Sequence, residues 1–270
     1  MGERPPAARS TPSLHVDVRG VGPDLVLLHG WGFDSRVWGP FADALAPCFR
    51  LHAVDLPGHG RSHGTPFVDL HDAAARIADR VPVGATVCGW SLGGMLAMHL
   101  ACRRSDIARK LVLIATTPRF ARADTWPSGV PRPTLDDFRA AVAIDGPSTR
   151  RSFAARVAHG SPDALAQAST LTTLCDSGAP LDWTSLSRAL ESLHAADLRD
   201  DVARIDAPTL VIHGRRDAVI RVAAGEWLAS RCGRDGGGAP AALRLLEQSG
   251  HAPFLDQPQA LAQALIDWHG

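Results

Sequence analysis

The chain has no tyrosine, and Lys110 is the single lysine among its 28 basic residues. Without phenols, no acid–base chemistry can depend on a tyrosine hydroxyl. The lone lysine, set beside abundant Ala, Arg, Gly and Pro, reads as a coding bias toward GC-rich codons and points to no function. Net charge is also absent: 28 basic residues balance 28 acidic ones, which argues against a nucleic-acid partner. The cysteines are five, an odd number: Cys48, Cys88, Cys102, Cys175 and Cys232. They have no metal-ligand spacing, and a chain of 270 residues needs no disulfide scaffold, so a reducing compartment is expected. No apolar run approaches the roughly 20 residues that cross a bilayer. Residues 1–12 hold no apolar core of signal-peptide length. The expectation is a soluble cytoplasmic monomer that needs neither metal nor organic cofactor.

What the chain does have is Gly89-Trp90-Ser91-Leu92-Gly93, a G-x-S-x-G pentapeptide with suitable flanks. Ala85–Cys88 reads as a short buried strand and Gly94–Ala101 as a helix. A serine on a sharp strand-to-helix turn is strained and exposed, the arrangement of an activated nucleophile. The amide of Leu92 then lies at a helix start, where positive partial charge meets an oxyanion. The alternative is a Gly-rich turn that merely contains a serine.

A serine hydroxyl needs a base to take its proton, and the base needs an orienting group. Of the 12 histidines, His251 is best placed, in Ser249-Gly250-His251-Ala252-Pro253-Phe254 after the strand-like Ala242–Leu246. Asp217 is the expected acid, on Gly214-Arg215-Arg216-Asp217 leaving the apolar run Thr209–His213. The chain order Ser91, Asp217, His251 is that of an α/β-hydrolase triad. A second oxyanion donor is expected from His29-Gly30-Trp31-Gly32, after the strand Leu25–Leu28. There the backbone N–H of Trp31 pairs with that of Leu92, and His29 holds the loop.

Strands and helices alternate along the first part of the chain. Strands are expected at 14–19, Leu25–Leu28, Arg50–Val54, Ala85–Cys88 and Leu111–Ala115, with helices near Trp38–Leu45 and Asp69–Arg80. Strands apolar on both faces and separated by helices imply a mostly parallel sheet. From Thr116 to Ala207 no clear strand appears. Helical patterns at Leu135–Ile144, Ser148–Ala158 and Leu186–Leu193 are broken by Pro131, Pro133, Gly146-Pro147 and Pro180. The organisation expected is an α/β core at 14–115 and 208–270, a helical cap at 116–207, and a disordered N-terminus at 1–13. Gly233–Pro240 is expected to be a flexible surface loop.

From about Leu14 the chain resembles the α/β-hydrolase superfamily. The resemblance rests on His29-Gly30-Trp31-Gly32, Asp55-Leu56-Pro57-Gly58-His59-Gly60-Arg61-Ser62, Gly89–Gly94, Asp217 and Gly250–Phe254. More narrowly it is similar to the pimeloyl-[acyl-carrier protein] methyl ester esterases of biotin synthesis, through Gly89–Gly94, Ala115–Phe120 running into Asp124–Pro127, Asp197-Leu198-Arg199 and His251–Phe254. The resemblance implies hydrolysis of the methyl ester of a carrier-bound pimeloyl chain, with Trp31, Ser91, Leu92 and His251 at the substrate. It also implies acyl-chain contacts from Phe153, Ala154, Ala155, Arg156 and Val157, ordinary helix packing being the alternative for Phe153. It further implies cap arginines that meet an acidic carrier. Arg150, Arg151 and Arg156 match, whereas the next helix, Pro162 to Leu174, carries none, and solvated arginines are the plainer reading. Two other readings stand beside this one: a general carboxylesterase, lactonase or thioesterase with the same triad, and a ligand receptor on the scaffold. Epoxide or haloalkane chemistry is disfavoured, because enzymes of this kind carry an aspartate where Ser91 stands.

Overall fold

A computed structural model describes residues 13–233 and 240–270. The disorder expected at 1–13 and the loop expected at Gly233–Pro240 fall, but for their end residues, outside that range. Seven strands form one sheet: β1 (Val16–Arg19), β2 (Asp24–Leu28), β3 (Arg50–Val54), β4 (Ala85–Trp90), β5 (Ala108–Ile114), β6 (Thr209–Gly214) and β7 (Ala242–Leu246). Their spatial order is β1-β3-β2-β4-β5-β6-β7. Only β1 runs antiparallel to its neighbour, β3; the remaining pairs are parallel.

Side chains of a strand alternate between faces, so the inner strands feed two cores. Val26, Leu28, Val87, Leu111, Leu113 and Val211 pack on one face. Leu25, Leu27, Cys88, Trp90, Val112, Ile114, Leu210 and Ile212 pack on the other. Burying each such side chain contributes about 1.5–3 kcal/mol. That is why these runs read as unbroken apolar stretches.

The helices are α1 (Gly39–Leu45), α2 (Leu70–Ala78), α3 (Leu92–Arg103), α4 (Arg132–Ala158), α5 (Ala164–Asp176), α6 (Trp183–Ala195), α7 (Arg199–Val202), α8 (Val222–Arg231), α9 (Pro253–Asp256) and α10 (Pro258–His269). Helix α2 begins at Asp69, whose carboxylate accepts from the Asp72 amide at 2.8 Å; such caps contribute about 1 kcal/mol. Helix α3 is buried from Leu92 to Ala101, so it is apolar all round and not amphipathic. Helices α4 to α7 form a single insertion between the adjacent strands β5 and β6. The break expected at Gly146-Pro147 is a bend inside α4. Asp145 has non-helical backbone angles (φ −146°, ψ 84°), and its carboxylate accepts from the Ser148 amide at 3.0 Å, restarting the helix. Pro147 has no N–H to give the preceding turn, which favours the bend at this point. No helix among the described residues is long and apolar enough to cross a membrane.

The two ends of the insertion are tied together at its base. The Leu198 amide donates to Pro118 O at 2.9 Å. Asp197 pairs with Arg119 and, at 2.8 Å, with Arg199. Arg199 also reaches Thr125 O at 3.0 Å.

Candidate active site

Ser91 joins β4 to α3 with φ 55° and ψ −116°, left-handed backbone that costs a non-glycine residue about 1–3 kcal/mol. The surroundings hold it there. The Ser91 amide donates to Ile114 O at 3.1 Å, and Ser91 O accepts from Thr116 Oγ1 at 2.7 Å. Gly93 cannot be replaced in this turn without strain, because an added Cβ would sit 2.0 Å from Leu28 O.

Trp90 locks the elbow to the opposite loop. Its indole N–H donates to the carbonyl of His251 at 2.8 Å, and its ring packs against Phe33 and Phe254. His251 follows β7 and is fully buried. Its Nδ1 lies 2.8 Å from Asp217 Oδ2. Its Nε2 is buried with no hydrogen-bond partner among the described residues, which leaves that nitrogen for a proton from a nucleophile.

Asp217 leaves the C-terminal end of β6 and is held at both oxygens. Oδ1 accepts from the amides of Val219 and Ile220, each at 2.8 Å. Oδ2 faces His251 at 2.8 Å and, on its other side, His213 Nε2 at 3.2 Å. Burial pushes this carboxyl up, but the charge of His251 and hydrogen bonds from His213 and His251 outweigh it and hold Asp217 well below the usual carboxylate range.

The loop after β2 comes close to the elbow. A Cβ on Gly30 would stand 3.3 Å from Ser91 Cβ. His29 holds this loop: its Nε2 accepts from the Leu56 amide at 3.0 Å, so Nδ1 carries the proton it donates to Gly30 O at 2.8 Å. Trp31 is buried and spans to the insertion, its indole N–H donating to Leu186 O at 2.9 Å. The amides of Trp31 and Leu92 have no acceptor among the described residues.

Ser91 opens into a cavity with an empty volume of about 710 Å³, counting its mouth. Trp31, Phe120, Phe138, Phe153, Leu190 and Val219 are among its apolar walls, and Thr134, Arg139 and Arg156 are polar. Trp31 meets Phe138 and Phe153 edge to face, at 5.3 and 5.5 Å between ring centres. Phe120, Phe138 and Val219 were not read from the sequence as wall residues. They come from three separate segments, and only the fold brings them together.

Two expectations require correction. First, a helix cannot turn five consecutive residues toward one space. Phe153 and Arg156, one turn apart, line the cavity. Ala154 and Val157 point into the core instead, and Ala155 is exposed outside the cavity. Second, Arg150 is not on the surface. It is only 5% exposed. Its guanidinium donates to Gly32 O and, at 2.8 Å, to Cys175 O, and burial lowers its pKa. Two carbonyls hold it inside, so it cannot meet a carrier. Arg151 is exposed and pairs with Asp176 at 2.8 Å. Arg156 is exposed at the cavity, reaching Ala218 O at 3.3 Å. Among the described residues no group of three or more His, Cys, Asp or Glu could hold a metal.

The alpha/beta hydrolase family model matches residues 25–264. The chain belongs to that family. A pimeloyl-[acyl-carrier protein] methyl ester esterase of Nitrosomonas europaea is 40% identical over 250 residues, 92% of this chain and 96% of that protein. One of Xanthomonas campestris is also 40% identical, over 93% of this chain and 97% of the relative. Among solved structures, an esterase from Exiguobacterium antarcticum superposes with a TM-score of 0.82 at 23% identity, covering 94% of each chain. That last likeness bears on the fold alone.

Proposed function

We propose that this hydrolase is a serine carboxylesterase that removes the methyl ester from a pimeloyl chain carried on an acyl-carrier protein. The observation that carries the reading is similarity over nearly the whole length to relatives of that name, in a chain whose Ser91 faces a mainly apolar cavity. The helical insertion acts as the cap that shapes this cavity.

The chemistry follows from the site. His251 Nε2 takes the Ser91 proton as Oγ attacks the ester carbonyl. The Trp31 and Leu92 amides meet the oxyanion, each such donor being worth about 10²–10³ in turnover. Asp217 holds the His251 tautomer and balances the imidazolium charge. The tetrahedral intermediate collapses, His251 passes its proton to departing methanol, and an acyl-enzyme remains. Water, deprotonated by His251, attacks that ester. Ser91 regains its proton and the free carboxylate leaves.

One observation favours a carrier-independent esterase as the second reading. With Arg150 buried and Arg151 paired to Asp176, Arg156 is the one of the three expected docking arginines that is both exposed and without a carboxylate partner among the described residues. The deciding experiment compares turnover of pimeloyl-carrier methyl ester with that of free short-chain esters, for the wild type and Ser91→Ala. The proposal expects a strong preference for the carrier-bound ester that Ser91→Ala abolishes. Turnover of free short esters only would keep the esterase and discard the carrier. Turnover surviving in Ser91→Ala would discard the nucleophile.

A further inference from the structure

His213 is a buried histidine that the mechanism above leaves unused. It lies on β6, four residues before Asp217, and is fully buried. Its Nε2 sits 3.0 Å from Ile220 O and 3.2 Å from Asp217 Oδ2. Both neighbours are acceptors. An unprotonated nitrogen there would set its lone pair against two oxygens, so Nε2 carries the proton. Nδ1 is buried without a partner among the described residues and faces Gly225 of α8, where an added Cβ would come within 2.6 Å of it. The fold thus makes room for this ring by having no side chain at residue 225.

The hydrogen bonds around His213 close a small circuit. The Ile220 amide donates to Asp217 Oδ1, and the Ile220 carbonyl receives the His213 N–H. The same N–H lies against Asp217 Oδ2, the oxygen that meets His251. The start of the acid loop is therefore pinned to its end, with the carboxylate rotamer fixed between them.

We infer that His213 is a positioning residue for the reaction: it holds Asp217 Oδ2 toward His251 and draws part of the carboxylate charge onto its own N–H. The titratable groups facing Asp217 are His213 from β6 and His251 from the loop after β7. The inference rests on the triad reading, in which Asp217 orients the base.

The test compares four variants on a methyl ester substrate. His213→Phe keeps a ring and removes the donor. His213→Gln places an amide N–H where Nε2 stands, and His213→Asn is too short to reach. Asp217→Asn reports on the triad itself. A hydrogen bond to a charged group sets the expected loss in His213→Phe at roughly 10- to 100-fold in kcat, with little change in KM. The acid limb of kcat/KM should move to higher pH, because a carboxylate relieved of His213 holds a protonated imidazole more tightly. A merely structural loss would not move that limb upward. His213→Gln should recover most of the rate, while His213→Asn should behave like His213→Phe. If His213→Phe does not fold, the Gln and Asn pair carries the comparison. Equal rates and equal acid limbs in Gln and Asn, or a His213→Phe enzyme within twofold of wild type, would overturn the role. A steep loss in Asp217→Asn beside a normal His213→Phe would discard His213 alone. A normal Asp217→Asn would discard the triad reading and this inference with it.

Discussion

At the scale of single residues, the site combines a strained serine with a carboxylate that is over-determined in position. Ser91 is held at φ 55° by its neighbours, and Asp217 is fixed by two amides and two histidines. Asp217→Asn should therefore leave the fold intact and lower kcat by about 10³–10⁴-fold, since it disturbs the His251 tautomer. Steady-state kinetics beside near-ultraviolet circular dichroism would check this, and an unchanged kcat would point to another acid. Phe153, packed between Trp31 and Phe138, should influence chain-length choice. Phe153→Ala should reduce the preference for longer over shorter acyl esters by a few fold or more, since one methylene in an apolar pocket is worth about 1–3 kcal/mol. A series of p-nitrophenyl esters measures it, and an unchanged preference would place the acyl chain elsewhere. Ser91, Asp217 and His251 were legible in position because each follows a strand-like run. Arg150 was not. A charged side chain reads as solvated, and nothing local to it reveals the carbonyls of Gly32 and Cys175 that take it in. His213 was hidden for the same reason, appearing only as the last residue of a strand.

Elements were legible in proportion to how evenly their residues are buried. The inner strands are apolar on both faces and were placed within a residue or two, except that β5 begins three residues earlier than expected. Helix α8 escaped notice: its sequence, VAAGEWLASR, buries only Ala224, Gly225 and Leu228, too little to mark a face. Helices α7 and α9 have four residues each, shorter than any periodic signal. The salt-bridged base of the insertion offers a test at this scale. Hydrogen bonding from Arg199, against the opposing effect of burial and with help from Arg119, lowers Asp197 to about 2. A carboxylate depressed in the folded state stabilises above its unfolded pKa, and the contribution fades as pH falls through the folded value. Asp197→Asn should cost about 1 kcal/mol near neutral pH, given its partial exposure. The difference from wild type should shrink as the pH falls from about 4 toward 2. Thermal melts of both proteins across that range measure it, and a gap that persists at the acid end would count against the pairing.

For the molecule as a whole, acid sensitivity has a second source beneath the loop after β3. His59 is fully buried and packs edge to face on His29 at 5.2 Å. Burial lowers it to about 3 from an ordinary 6.5. Between those values the unfolded chain binds a proton that the folded protein refuses, so stability is complete above about 6.5 and declines toward 3. The slope from one such group is at most about 1.4 kcal/mol per pH unit. Urea unfolding from pH 7 to 4 should show this decline, and His59→Gln should flatten it even if that variant is less stable throughout. A slope that does not change would assign the acid sensitivity elsewhere.

The tied base of the insertion has a bearing on how such a protein changes over generations. Because β5 and β6 lie side by side, and Leu198 meets Pro118 where the chain departs and returns, the excursion begins and ends at one point. Loop-closure entropy grows only with the logarithm of length, about 0.6 kcal/mol per doubling. Gaining, losing or rebuilding helices above that knot thus changes the entropy of closing the excursion very little. Selection can then redraw the walls of the cavity around the same serine, as one changes the die in a press while the frame stays bolted down.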